Sequence, residues 1–556
     1  VNLYEQLSKE RKKAQWDGEV PEWMTTGGYQ MYKEKLAYKD ETFELAIGRV
    51  AQEAASWGVH LDLAGRSKKE LTQRFFHLMW NNWLVPSTPV LANMGTERGL
   101  PVSCSGSFIE DSIDSFYTSF HEAAMLTKTG HGCSCYLGNI RPRGTSYGDG
   151  EGKADGVLPV IKQMLQTVSS VSQGSTRRGA TAFYIELTHG DVEEVMDYHL
   201  ANPKRLQIGY IITDEFVNAL QGGRQEAQVL WKRLMKVRCQ TGKAYIVFTD
   251  KANRHAKDLG IRFNTNIVAS NLCTEIFLPS NKEETFSCVL SSINAYTYDE
   301  WKKDEMFVHD CILFLNCVVD SYLENMERYA GMDKIKTFTE RYRALGLGVL
   351  GFTSYLQKQS IALESLAASQ FNTVFFKNVF SQAKAAGDYY YNATVMAVAP
   401  NVTSALVGGG VSQGIEPFTS NVFTQETAAG DIYRMNPELL KLMREKGIHS
   451  ESNIQEIKKN NGSIQGNPLF TEHEQQVFKT AYEIDQSWLV KLAGDRGKYI
   501  DQGQSLNLFF ADDAPEQYIS RVHKEAVLSP YVKSLYYLNT KVGVQGSTGE
   551  CMMCAS

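Results

Sequence analysis

In the hexapeptide Asn271-Leu272-Cys273-Thr274-Glu275-Ile276 a thiol is flanked, two residues to either side, by an amide and a carboxylate. An extended backbone alternates its side chains, so Asn271, Cys273 and Glu275 would share one face. A carboxylate there can serve as a general base and an amide can orient a polar substrate. Taken alone, a cysteine is usually a small buried hydrophobe. Others accompany it. Cys104 and Cys288 lie to either side in sequence, and the chain ends in Cys551-Met552-Met553-Cys554-Ala555-Ser556, preceded by Tyr536-Tyr537. Two thiols deliver two electrons by closing a disulfide. A terminal dithiol after the Gly-rich 542–549 can swing between a buried site and an external reductant. Zinc is the rival reading of a CxxC pair, but it needs two further ligands. Cys133-Ser134-Cys135, with His131 nearby, is the other close set.

Positioning such a set takes a large core, and 556 residues with 43% hydrophobic and 22% charged side chains form one. A formal charge of -6 argues against a surface for nucleic acid polymers, which needs a basic excess. No run of about 18 apolar residues and no signal-peptide core occur, so the expectation is a cytoplasmic protein without a membrane anchor. Ten cysteines are too sparse for a disulfide scaffold. Cys239, Cys311 and Cys317 read as core filler, the last two in an apolar helical run.

Residues 1–85 read as a helical region. Phe43, Ala46, Val50, Ala51 and Ala54 recur at helical spacing, Ser67 and Glu70 form a capping box, and Pro86-Ser87-Thr88-Pro89 ends the helix. Beyond it, strands are expected at 181–187, 207–212, 244–248, 267–276 and 505–510, with helices at 159–171, 226–241 and 305–324 between them. Strands separated by helices imply parallel strands and an α/β fold. The polar stretch 450–467 reads as a surface loop.

In this order, the central thiol, the two distant thiols, the tyrosine pair and the terminal dithiol resemble the large, catalytic subunit of class I ribonucleotide reductase, over roughly residues 20–554. The resemblance implies a ten-stranded α/β barrel over 86–540, with a central finger loop carrying Cys273, and a flexible redox tail over 541–556. It implies reduction of ribonucleoside diphosphates to 2′-deoxyribonucleoside diphosphates. A thiyl radical at Cys273 would take hydrogen from the 3′ carbon, Glu275 would remove the 3′-hydroxyl proton, and Asn271 would hold the substrate. Cys104 and Cys288 would supply the electrons, Cys551 and Cys554 would shuttle them in from thioredoxin or glutaredoxin, and Tyr536 and Tyr537 would relay the radical. That relay separates class I from adenosylcobalamin-dependent reductases, the alternative mechanism. A nucleotide-binding regulatory protein with a zinc-bound tail is the alternative from another class.

The resemblance extends to binding. Thr88 and Ser103 match substrate-contacting positions, and Thr403 and Ser404 belong to a loop that resembles a phosphate-binding one, with Val402 departing from the family pattern. Asp111 and Arg141 would hold an allosteric effector, a deoxynucleoside triphosphate or ATP with Mg, and Arg177 would report its identity to the substrate base. No cofactor is expected to stay bound in this chain; a radical-generating small subunit would supply the radical, and the chain itself would form a homodimer. The activity-regulating N-terminal cone of many relatives is not expected, because residues 21–57 already resemble the entry to the catalytic domain.

Overall fold

The computed structural model describes residues 3–173, 177–427 and 430–540; of 172, 173, 177, 178, 424–427 and 430–433 it describes the backbone alone. Helices come first. Phe43–Leu61 starts where Thr42 accepts from Leu45 N–H, and Ala46, Ile47, Val50, Ala51, Ala54 and Ala55 are buried along one face. Ser67 and Glu70 make both bonds of a capping box ahead of Lys68–Trp80. Gly58 lets these helices close on the core, since a Cβ there would meet Leu71 Cδ1 at 3.0 Å and Cys317 Sγ at 3.3 Å. The core helix Phe307–Met326 lies beneath them, and Phe314 packs edge-on against Phe75 with ring centroids 5.4 Å apart.

Among the described residues a nine-stranded sheet follows. Its strands are β1 (Leu84–Pro86), β2 (Cys104–Phe108), β3 (Cys133–Tyr136), β4 (Thr181–Glu186), β5 (Ile208–Ile211), β6 (Ala244–Val247), β7 (Phe286–Asn294), β8 (Leu345–Leu350) and β9 (Ser534–Leu535). Strands β2 to β6 are mutually parallel neighbours in chain order, joined through helices such as Ile113–Thr129, Val192–Ala201 and Gln225–Thr241. Strand β7 runs antiparallel to β2 and parallel to β8, so a second set opposes the first. Hydrogen bonding continues from β8 to 395–398, where Leu347 N–H donates to Val395 O, and on to 503–505 through Val398 and Gly503. Leu508–Phe510 then pairs with Leu538–Thr540, and β9 returns antiparallel to β6. The ladder therefore closes on itself, leaving an interior in which irregular chain can be buried.

Several expectations change. Residues 267–276 are not a strand, and 505–510 is a strand only at Leu508–Phe510. The polar 450–467 stretch contains the helix Glu451–Lys459, with Ile457 and Ile464 buried beneath it. Cys311 and Cys317 fill the core, whereas Cys239 is exposed on its helix, because one helical face must look outward whatever residue occupies it. Among the described residues, no helix is long and apolar enough to cross a membrane.

Candidate active site

The segment 270–277 crosses the barrel interior as a turn. Thr274 N–H reaches Asn271 O at 3.4 Å, and Thr274 sits at φ 67°, a left-handed conformation that a β-branched residue adopts only when its surroundings enforce it. The alternation expected of an extended strand is thus replaced by a sharp reversal. Buried backbone carbonyls need partners. Here four of them find groups from far along the chain. Asn271 O accepts from Tyr184 OH, Cys273 O from Ser505 Oγ at 2.6 Å, Thr274 O from Ser534 Oγ at 2.9 Å, and Glu275 O from Gly503 N–H at 2.9 Å. Ile276 O accepts from Ser270 Oγ at 2.6 Å, while the Asn271 side-chain oxygen takes Ile276 N–H at 3.1 Å.

So held, the turn brings Asn271 and Glu275 to Cys104. Cys104 on β2 and Cys288 on β7 are directly opposite in antiparallel register. Such partners have Cα atoms about 4.5–5.5 Å apart, within the span of a disulfide. Gly346 makes room beside them: a Cβ there would lie 3.1 Å from Cys288 Sγ and 2.5 Å from Leu290 Cδ2. Asn271 Nδ2 donates to Cys104 Sγ at 3.5 Å, and Cys104 Sγ–H points to Glu275 Oε1 at 3.9 Å. The other oxygen of Glu275 is 3.2 Å from Ser505 Oγ. On the far side of the turn Tyr536 OH donates to Cys273 Sγ at 3.5 Å, and the Tyr536 and Tyr537 rings stack with centroids 4.0 Å apart. Cys104, Asn271, Cys273, Glu275, Cys288 and Tyr536 are all buried. Burial pushes the Cys288 thiol well above its ordinary value, and a hydrogen bond from Gln502 works against that rise. The arrangement can pass a hydrogen atom between Cys273 and Tyr536, accept a proton at Glu275, and close a disulfide.

The remaining candidates fall into two groups. Ser103 Oγ is 3.8 Å from Cys104 Sγ. Thr88, at the start of the helix Thr88–Asn93, has a buried hydroxyl with no hydrogen-bond partner among the described residues, and with Ser404 it lines a cavity that also includes Val85, Asn82 and Gly408. Thr403 and Ser404 lie in Val402–Val407, entered through Asn401 at φ 57°, whose side chain is anchored on Ser292 Oγ at 3.1 Å. Asp111 and Arg141 make an ion pair with each other, with the Arg141 guanidinium 5.8 Å from the Tyr147 ring. The Arg177 side chain, Cys551 and Cys554 lie outside the described residues. Among the described residues, no three His, Cys, Asp or Glu side chains are grouped to hold a metal, and His131 instead bonds Tyr322 OH at 2.8 Å.

Sequence reasoning missed Tyr184, Gln502, Ser505 and Ser534. The signal for two of them was present in Asp501-Gln502-Gly503-Gln504-Ser505, a polar run between a helix and a strand, of which Gln502 and Ser505 are buried.

Comparison with known proteins bears on this geometry. The family described as "Ribonucleotide reductase, barrel domain" matches residues 102–226, 218–388 and 381–538, and "Ribonucleotide reductase, all-alpha domain" matches 24–99. A putative ribonucleoside-diphosphate reductase large subunit of Frog virus 3 (isolate Goorha) is 30% identical over 542 residues, covering 88% of this chain and 93% of that protein. The ribonucleoside-diphosphate reductase large subunit of Danio rerio is 26% identical, covering 84% and 70%. Among solved structures, the Actinobacillus ureae class Id ribonucleotide reductase alpha subunit superposes with a TM-score of 0.82 at 33% identity, covering 93% of this chain and 97% of that one.

Proposed function

The chain belongs to the ribonucleotide reductase large-subunit family, and from that premise we propose which of its residues perform each step. The reaction is reduction of ribonucleoside diphosphates to 2′-deoxyribonucleoside diphosphates, carried out with a small-subunit partner. That partner supplies the oxidising equivalent. Within this chain it travels through Tyr537 and Tyr536, whose stacked rings end at Cys273 Sγ. The Cys273 thiol gives its hydrogen atom to Tyr536, takes one from the substrate's 3′ carbon, and returns it at the end. Glu275, whose Oε2 competes with Cys273 O for the single hydroxyl hydrogen of Ser505, removes the 3′-hydroxyl proton. Replacing the 2′-hydroxyl by hydrogen, with release of water, needs two electrons and two protons. Cys104, which meets Glu275, and Cys288 opposite it supply both by becoming a disulfide.

Substrate lies against Thr88 and Ser103, with its phosphates at Thr403 and Ser404; the unpartnered hydroxyl of Thr88 supports this, since a buried donor without a partner is costly. Cys551 and Cys554 re-reduce the internal pair and are themselves reduced by thioredoxin or glutaredoxin. Asp111, Arg141 and Arg177 bind a nucleoside triphosphate effector with Mg, and two copies of the chain associate.

One observation carries the reading: Tyr536 reaches Cys273 in the same buried turn whose Glu275 and Asn271 contact Cys104. It favours a radical delivered through the tyrosines over adenosylcobalamin bound in place. Incubating the chain with CDP, dithiothreitol and a class I small subunit should yield dCDP, and Tyr536→Phe should abolish it. Turnover with adenosylcobalamin and no small subunit would overturn the assignment. Replacing Cys551 and Cys554 by serine should leave a single round of product from pre-reduced protein but remove thioredoxin-driven turnover.

A further inference from the structure

Gln502 has no part in the steps above, yet its carboxamide joins the catalytic turn to the thiol pair. It is fully buried. Its Oε1 accepts from Phe277 N–H at 3.1 Å, two residues beyond Glu275, and its Nε2 lies 3.3 Å from Cys288 Sγ, 3.0 Å from Leu345 O and 3.0 Å from Thr394 Oγ1. A carboxamide nitrogen carries two hydrogens, so three acceptors compete for them. A thiolate at Cys288 claims one; a disulfide sulfur, a much weaker acceptor, leaves both to the oxygens.

The two sulfurs of the pair are therefore unlike. Cys288 Sγ faces this amide donor, and its own proton has Val289 O at 3.9 Å. Cys104 Sγ has the amide of Asn271 at 3.5 Å but also the acceptor oxygen of Glu275 at 3.9 Å, which opposes negative charge on that sulfur. A sulfur better able to carry the charge leaves faster in thiol–disulfide exchange.

We propose that Gln502 is a positioning residue that sets the direction of this exchange: it steadies Cys288 Sγ as the departing sulfur, so that an incoming dithiol attacks Cys104 Sγ. The inference rests on reading Cys104 and Cys288 as the redox pair. In the first step the incoming thiolate bonds to Cys104 Sγ while the Cys104–Cys288 bond breaks; its electron pair stays on Cys288 Sγ, which then takes a proton. In the second, the reductant's other thiolate attacks its partner sulfur, closing the reductant's disulfide and releasing Cys104 as a thiolate that is protonated. The dithiol loses two electrons and the pair gains them.

The test uses the full chain with Cys551→Ser and Cys554→Ser, so that no tail thiol competes. After one turnover with substrate and small subunit, the protein is treated with 2-mercaptoethanol, quenched with iodoacetamide and mapped by peptide mass spectrometry. The expected result is the monothiol on Cys104 and the alkyl group on Cys288, in at least tenfold excess over the reverse. Gln502→Met should bring that ratio towards one and slow reduction of the pair by dithiothreitol about tenfold, the effect of one lost hydrogen bond to a charged acceptor. A merely structural Gln502 would leave the ratio unchanged, and that result, or the monothiol on Cys288 in the chain that retains Gln502, overturns the inference. If Gln502→Met does not fold, the mapping with Gln502 in place still decides. Absence of a Cys104–Cys288 disulfide after turnover would remove the redox pair itself, and the inference with it.

Discussion

The turn at 270–277 and the hairpin at 141–153 are both irregular, but they hold their shapes by opposite means. In the turn, Thr274 is left-handed without being glycine, and the carbonyls from Cys273 to Ile276 are tied to Ser505, Ser534, Gly503 and Ser270. In the hairpin, positive φ falls on Gly144, Gly148 and Gly150, where it costs little, and Ser146 and Tyr147 are exposed. Its fixed point is the partly exposed ion pair between Arg141 and Asp111. Burial allows the first segment to keep a strained shape, because leaving it would cost these carbonyls their partners. The second is exposed and, among the described residues, has no such network of buried partners to hold it.

Cys273 stands at the centre of the buried turn. Cys273→Ser should fold normally and bind nucleotide, because one atom changes in a fixed turn, yet form no deoxynucleotide above background. Product at a tenth of the normal rate would mean that the turn does not present this residue to the substrate. Ser505→Ala comes next. It leaves Cys273 O buried without its donor and frees Glu275 Oε2, which should cost about 1–3 kcal/mol of stability and a comparable part of the activation free energy, roughly a 10- to 100-fold loss in kcat. Equal kcat for Ser505→Ala and the unaltered chain would show that the turn needs no such support.

Behind the tyrosines the same buried logic predicts a pH effect. Tyr537 N–H donates to Asn507 Oδ1 at 3.0 Å, and Asn507 Nδ2 donates to Glu416 Oε1 at 2.6 Å. Burial pushes Glu416 up to about 8, with Asn507 pulling it back only in part. A carboxyl raised on folding contributes stability below its unfolded value that is lost as pH rises through its folded one. Denaturant melts of Glu416→Gln should therefore match the unaltered chain near pH 5 and exceed it near pH 9. The same difference at both values would place the ionisation elsewhere.

The hairpin should answer differently. Arg141→Ala or Asp111→Asn should change stability by about 0.5 kcal/mol or less, as a partly exposed ion pair contributes little, while basal turnover persists and the response to a nucleoside triphosphate is lost. Calorimetry of effector binding checks it; undiminished affinity in Arg141→Ala would remove the hairpin from the effector site.

The same contrast explains what could be read from sequence. Asn271, Cys273 and Glu275 stood out by type and spacing, and they lie in one buried turn; Cys104 and Cys288 stood out by resemblance, and they face each other across two strands. The periodic helices 159–171, 226–241 and 305–324 were also legible, appearing as Leu158–Ser170, Gln225–Thr241 and Phe307–Met326. The conformation of the turn was not. Residues 267–276 are apolar and β-branched enough to look like a strand, and what bends them is supplied by Tyr184, Gly503, Ser505 and Ser534, most of them more than 200 positions away. Local pattern carries no record of such partners. Cys239 failed for a simpler reason: the usual burial of cysteine placed it inside, whereas its position on Gln225–Thr241 puts it on the outward face.

Thr274 carries the strain of the buried turn in its mildest form. Its backbone is left-handed at φ 67°, and its hydroxyl is buried with no hydrogen-bond partner among the described residues, so it is destabilising on two counts. Left-handed strain costs about 1–2 kcal/mol in a non-glycine residue. Thr274→Gly removes both the strain and the orphaned hydroxyl, at the expense of a more flexible unfolded chain, which returns about 0.5–1 kcal/mol. The net expectation is a stability equal to the unaltered chain or higher by about 1 kcal/mol, read as a small upward shift in Tm. Activity should move the other way. A glycine lets the turn relax around Cys273, lengthening on average its contact with Tyr536 OH, so kcat should fall while KM holds. A variant that is less stable, or equally stable and fully active, would show that the left-handed threonine is a neutral accident of sequence and not a strain held for the sake of the thiol.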